Sequence, residues 1–350
     1  MDVKVENFKG LAIKGGGVAG VAYLGALRRW LASGLTFDQF DVFIGSSAGS
    51  MVAALLALRA PLSFLESTIR STDFESFLDT SLLSKAENAV GLLKNYGWNS
   101  SEKLELWFAD VIGRLSGDKE LTLHQAYVKY GTRLMITTTD VLYPKCKLVV
   151  MDWKSHPNET LHSAVRKSCS IPLFFRAVFG SGADKDHIFV DGGVMDNYPL
   201  ELLYDILPKE QCMGLYLTKP PKKSGADHIG RPVEKPSEFI SSILNTWMDA
   251  MMGQHVSSDD WTRTCSIPAR LSAIDFSASR NRQEEDIEQG DLAMEKFILS
   301  IRLLSRKPLE KIISEKDARI QALEADYRLV IAKLYNIIES INKRGYKPSS

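Results

Sequence analysis

The chain has 350 residues, 45% of them hydrophobic and 25% charged, with no low-complexity tract, which excludes the fibrous and intrinsically disordered classes and allows one large or two modest domains. Its 43 Lys and Arg balance 43 Asp and Glu, so no global field draws it to a phosphate polymer, and nucleic acid is not an expected partner. Cys146, Cys169, Cys212 and Cys265 lack CxxC spacing; they read as buried thiols, not as a zinc site or disulfide framework.

The first ten residues carry no apolar core of a secretory signal, so the cytosol is the expected compartment, with peripheral membrane contact left open. Residues 11–14 read as a short buried strand, followed by glycines and a helix over about 18–31. A second strand over 42–44 runs into Gly45-Ser46-Ser47-Ala48-Gly49 and an apolar helix over 50–59. Its strongly apolar run, Met51 to Leu58, is far short of the roughly 20 residues a spanning helix needs. Two strand, tight turn, helix units in succession favour an α/β layered fold with a mostly parallel sheet.

From 63 to 130 the pattern turns helical. Leu104, Trp107, Phe108, Val111, Ile112 and Leu115 fall at spacings of 3 and 4 behind a Ser100/Ser101 cap, which predicts a helical insertion. Strands return at 133–141, 147–152, 187–191 and 212–218, where β-branched residues are enriched. The stretch 219–236, with Pro and Gly, reads as a surface linker. In the helix that follows, Phe239, Ile240, Ile243, Leu244, Trp247, Met248, Met251 and Met252 make a wide apolar face, suited to packing on the sheet or to touching lipid. Near the C-terminus Ile313, Ile320, Tyr327, Leu334 and Ile341 are spaced by sevens, with Lys316, Leu323, Val330 and Ile337 between them. This heptad seam suits either a long helix lying along the domain or self-association. From Ile301 onward the chain carries a net +5, and what precedes it carries −5.

The glycines at 15–17 and Gly20 satisfy GxGxxG between a strand and a helix, where exposed N–H groups attract negative charge. A dinucleotide site would need an acid ending the second strand, and that strand instead runs into Gly45-Ser46-Ser47. The GxSxG of Gly45 to Gly49 stands where a nucleophile elbow requires it, after an apolar strand and before an apolar helix. A serine needs a base. None of His124, His156, His162, His187, His228 and His255 has a catalytic context, whereas Asp191 ends an apolar strand and precedes Gly192-Gly193. Taken alone, Asp191 also suits a turn-forming role.

Together these stations resemble the patatin-like phospholipase family, which joins a GGGxxG turn, a GxSxG elbow and a DGG or DGA motif in this order. The resemblance extends to Ser168-Cys-Ser-Ile-Pro-Leu-Phe-Phe175 and to Asn197 and Pro199, and spans about 11–218. It implies an α/β three-layer fold with a mostly parallel central sheet, a helical insertion and a long C-terminal helix. With the heptad segment, the expected organisation is one acyl hydrolase domain over 1–308 and a helical extension over 309–350. Carried over by position, Ser47 would be the nucleophile, Asp191 the base and Gly15, Gly16 and Gly17 the oxyanion donors. Gly20, Gly45, Gly49, Gly192 and Gly193 would support the turns. The implied reaction is lipase or phospholipase A type ester hydrolysis through an acyl-enzyme, without metal or cofactor. The expected partners are a phospholipid or other acyl lipid, a transiently contacted membrane surface and a second copy through the C-terminal helix. The family usually has a basic residue where Ala19 stands and often an acidic one where Lys14 stands; Lys14 is expected at a strand end, facing solvent. Two rivals remain: a Ser/Asp/His hydrolase, since His228 and His255 follow Asp191 in chain order, and a non-catalytic lipid-binding scaffold.

Overall fold

The computed structural model describes residues 4–79, 94–181, 184–220 and 257–304, together with 232, 242–243, 246 and most of 316–334. By compactness the chain divides into two units, Met1–Ile301 and Arg302–Ser350.

The first unit is built on an eight-stranded sheet. Its parallel half comprises β1 (Gly10–Ile13), β2 (Val42–Ser46), β4 (Arg133–Asp140), β9 (Cys212–Thr218) and β10 (Thr264–Pro268), in the spatial order β10-β9-β1-β2-β4. Three antiparallel strands complete it: β5 (Lys147–Met151) and β8 (Ile188–Asp191) on β4, and β7 (Val178–Phe179) on β8. Side chains alternate between the two faces, as a strand's two-residue period demands. Leu11, Ile13, Phe43, Leu134, Ile136, Met213 and Leu215 enter the main core, while Ala12, Val42, Ile44, Met135, Cys212 and Tyr216 enter a second core with Tyr198, Leu200 and Leu203.

The main core holds buried residues of α1 (Ala22–Ala32), α2 (Ala48–Ala57), α6 (Leu161–Cys169) and α8 (Arg280–Leu304). Each fully buried Leu, Ile or Phe contributes about 1.5–3 kcal/mol of transfer free energy. Helices α1 and α8 cross at backbone contact: a Cβ on Gly290 would lie 1.9 Å from the Ala22 carbonyl oxygen. Helices α3 (Leu62–Ser71), α4 (Glu102–Ser116) and α5 (Leu123–Tyr130) also give buried residues to this core, among them Leu65, Phe108, Ile112 and Leu123, and the one-turn α7 (Ser258–Trp261) precedes β10.

Several expectations need correction. The helix over 18–31 is split into a 3-10 turn, Gly17–Val21, and then α1, and the Val18 N–H in that turn is held by the Ala273 carbonyl at 3.1 Å. The insertion over 63–130 is not wholly helical: β3 (Gly97–Asn99) pairs in parallel with β6 (Leu173–Phe175) as a separate two-stranded sheet. At the α4 start Ser100 Oγ accepts from Glu102 N–H at 3.3 Å, whereas Ser101 makes no side-chain cap. All four cysteines are free thiols, but Cys146 is exposed, beyond the edge pair β4/β5, while the other three are buried. The apolar face centred on Trp247 and Met251 lies outside the described residues, as does most of the 219–236 linker. No helix among the described residues is long and apolar enough to cross a membrane.

Candidate active site

The pairing of β4 brings Ser47 and Asp191 together. Residues Ile136 to Asp140 pair with β5 along one edge of this strand. The other edge carries β2 up to the pair Ser46↔Thr137 and then β8 from the pair Asp191↔Thr138. Because β2 runs parallel to β4 and β8 antiparallel, their C-terminal ends meet head to head across two consecutive threonines. The junction is tight enough that a Cβ on Gly192 would sit 2.5 Å from the Thr137 carbonyl oxygen and 2.8 Å from Ser46 Oγ.

At the end of β2 the chain turns sharply into α2. Ser47 carries the strain, with φ 51° and ψ −131°, a conformation that costs a non-glycine residue about 1–3 kcal/mol and persists only where neighbours enforce it. The neighbours are visible. Ser47 N–H donates to Ser168 Oγ at 2.9 Å, and the Ser47 carbonyl accepts from Ser50 Oγ at 2.6 Å and Ser50 N–H at 2.8 Å. A Cβ on Gly49 would lie 2.2 Å from the Ile13 carbonyl oxygen, so α2 can start this close to β1 only with glycine there.

Asp191 is buried at the end of β8. Its N–H donates to the Ser170 carbonyl at 2.8 Å, its carbonyl accepts from Thr139 Oγ1 at 2.9 Å, and its Oδ1 accepts from Gly193 N–H at 2.7 Å. Burial pushes its carboxyl up to about 7; the Ser47 side chain and the Gly193 N–H offset part of that by favouring the ionised form. Its Oδ2 is buried without a formed hydrogen bond.

The glycine turn lies against Ser47 and Asn197. A Cβ on Gly15 would be 2.9 Å from Ser47 Cβ and 2.2 Å from Asn197 Oδ1. The same Asn197 oxygen would be 2.7 Å from a Cβ on Gly193, so its side chain is wedged between the two turns. Gly15 N–H donates to the Asn197 carbonyl at 3.0 Å, which removes it from the expected set of oxyanion donors in this geometry. Gly16 and Gly17 N–H have no backbone acceptor among the described residues, and Ala48, first residue of α2, likewise has no acceptor within its helix. Lys14 also departs from expectation: it is buried, with Nζ donating to the Leu217 carbonyl at 2.8 Å and lying 4.6 Å from the Tyr216 ring centroid. Ala19 is buried in the core and supplies no charge.

Sequence reasoning alone assigned no role to Ser168, Asn197 or the Ala48 N–H. The first two stand inside segments that resemble the family, which is the signal that pointed to them; the third follows from the turn, since the residue after Ser47 opens the helix.

None of the four described histidines is a hydrogen-bond partner of Ser47 or Asp191. His162 Nδ1 and Nε2 lie 3.1 and 3.2 Å from Glu105 and Glu120, His187 Nδ1 lies 2.6 Å from Asp140, and His156 contacts Ser155. His124 packs near the Trp153 ring. His228 and His255 lie outside the described residues.

Beside the elbow is an apolar cavity of about 80 Å³, with Gly17, Gly20, Ala48, Met51, Leu65 and Trp107 in its wall. Its wall runs from Gly17 and Ala48 to residues of α3 and α4. No group of three or more His, Cys, Asp and Glu among the described residues has the arrangement of a metal site.

Residues 11–204 match the patatin-like phospholipase family. The uncharacterized protein YqhO of Bacillus subtilis is 26% identical over 299 residues, covering 81% of this chain and 96% of that protein. A probable lipid hydrolase of Invertebrate iridescent virus 6 is 24% identical over 202 residues, covering 57% of this chain and 64% of its own. Among solved structures VipD from Legionella pneumophila shares the fold, with a TM-score of 0.55 and 16% identity over 84% of this chain and 67% of that one.

Proposed function

The chain belongs to the patatin-like phospholipase family, a membership that supports lipid hydrolysis, and from this premise we propose a serine acyl hydrolase using Ser47 and Asp191 without histidine. The observation that carries the reading is the meeting of a strained serine elbow with a buried carboxyl whose pKa of about 7 suits a general base at neutral pH. Ionised Asp191 takes the Ser47 hydroxyl proton as Oγ attacks the acyl carbonyl carbon. Gly16, Gly17 and Ala48 N–H groups supply the dipoles that receive the developing oxyanion, which removes far more barrier in a water-poor site than in solution. Collapse breaks the ester C–O bond, and the departing alcohol takes the proton from Asp191. Water then attacks the acyl-enzyme, Asp191 accepts its proton, and Ser47 leaves protonated with the fatty acid released.

The cavity supports the substrate class. An apolar wall beginning at Gly17 and Ala48 favours an ester whose acyl side is hydrocarbon, so phospholipids and related acyl lipids fit better than polar esters. One catalytic domain over 1–308 with an extension over 309–350 accommodates this reading, as does transient contact with a membrane surface to collect substrate. Replacing Trp247 and Met251 with polar residues and measuring vesicle partition tests that contact; unchanged partition removes this segment from it. Hydrolysis of a fluorogenic acyl ester and of phospholipid vesicles by wild type and Ser47→Ala tests the activity itself. Wild type is expected to turn over both and Ser47→Ala neither; equal rates would reject the hydrolase and favour a scaffold role.

A further inference from the structure

In the second unit, positions 316, 319–325, 327–328 and 330–334 are helical, and every one whose burial is described is exposed. Ile320, Leu323, Tyr327, Val330 and Leu334 occupy alternate places of a heptad, and between 51% and 68% of each is exposed. A helix of this length is marginal alone in water, and a continuous apolar seam along it calls for a covering partner. We infer that the partner is the same helix of a second copy, paired in parallel as a two-stranded coiled coil.

Two features of the sequence on this helix choose that occupant over a lipid surface. The first is the period: a strict 3.5-residue repeat keeps one narrow seam in register with another supercoiling helix, whereas a lipid-lying helix needs a broad face opposite a basic one. Residues 316–334 carry four basic and three acidic side chains, too mixed for a membrane-seeking polar face. The second is the flank. With Ile320 and Leu323 in the seam, Arg319 precedes it and Glu324 follows it, the two positions that face each other across a parallel dimer. Each Arg319 then meets the partner's Glu324, twice per dimer by symmetry. Antiparallel pairing sets like positions together and loses both pairs.

Sedimentation equilibrium of the full chain tests the inference, with hydrolysis of a soluble acyl ester measured in parallel. A dimer is expected, and Leu323→Asp with Val330→Asp is expected to give a monomer that keeps the wild-type ester rate. Glu324→Arg should weaken the dimer on the order of tenfold, and Arg319→Glu added to it should restore the affinity by reversing both pairs. A wild-type monomer at every accessible concentration would overturn the proposal, and so would a Glu324→Arg dimer as tight as wild type. Loss of binding to anionic vesicles in the Asp variant of a monomeric protein would assign the seam to lipid instead.

Discussion

The two turns that meet on β4 hold their reactive groups by opposite means. Ser47 sits in a backbone conformation that steric contact enforces, with Gly49 against the Ile13 carbonyl and Ser168 on its N–H. Asp191, at φ −48° and ψ 135°, avoids the left-handed region and is held at electrostatic cost, its buried carboxylate accepting from Gly193 N–H. The strain at Ser47 is therefore independent of pH, whereas the cost at Asp191 appears only when it ionises. Substitutions on the two sides should differ accordingly.

The largest effect is expected for Ser47→Ala, with acyl-ester turnover falling roughly 10³-fold or more while circular dichroism and melting stay close to wild type. Asp191→Asn should lose about 10²- to 10⁴-fold in turnover yet gain stability. The folded carboxyl titrates near 7, above its unfolded value, so its favourable contribution is complete in acid and is lost as pH rises through 7. A neutral Asn escapes that loss, and the gain should reach a few kcal/mol at pH 8 and vanish at about pH 4, read from urea melts at the two values. Gly49→Ala should cost about 2–4 kcal/mol at both pH values, since its clash is with backbone and cannot be relieved by a rotamer change. Ser168→Ala removes one bond from the elbow, and a loss of about 1 kcal/mol with a several-fold fall in kcat is expected from the same assays.

What could be read from the chain follows from how local each signal is. The strand, Gly-x-Ser-x-Gly, helix order placed Ser47 at its turn because small residues beside an apolar run are a local pattern. The strands over 133–141 and 212–218 agree with β4 and β9 to within a residue for the same reason. The antiparallel arrival of β8, which sets Asp191 beside Thr138, is a pairing between distant segments and leaves no periodicity in either. Three-residue strands such as β3 and β6 carry too few residues to show a period. Lys14 was misplaced because its partners, the Leu217 carbonyl and the Tyr216 ring, lie about 200 residues away on β9. Gly15 lost its donor role to Asn197 through a contact of the same long-range kind.

The central claim is that Asp191, with no histidine, activates Ser47. The pH dependence of kcat/KM for wild type and for each single His→Ala variant tests it most directly. A tenfold fall per pH unit below about 7, present in wild type and kept with near-normal plateau rates in all six variants, is the predicted result. One histidine whose removal abolishes both turnover and the break near 7 would contradict it.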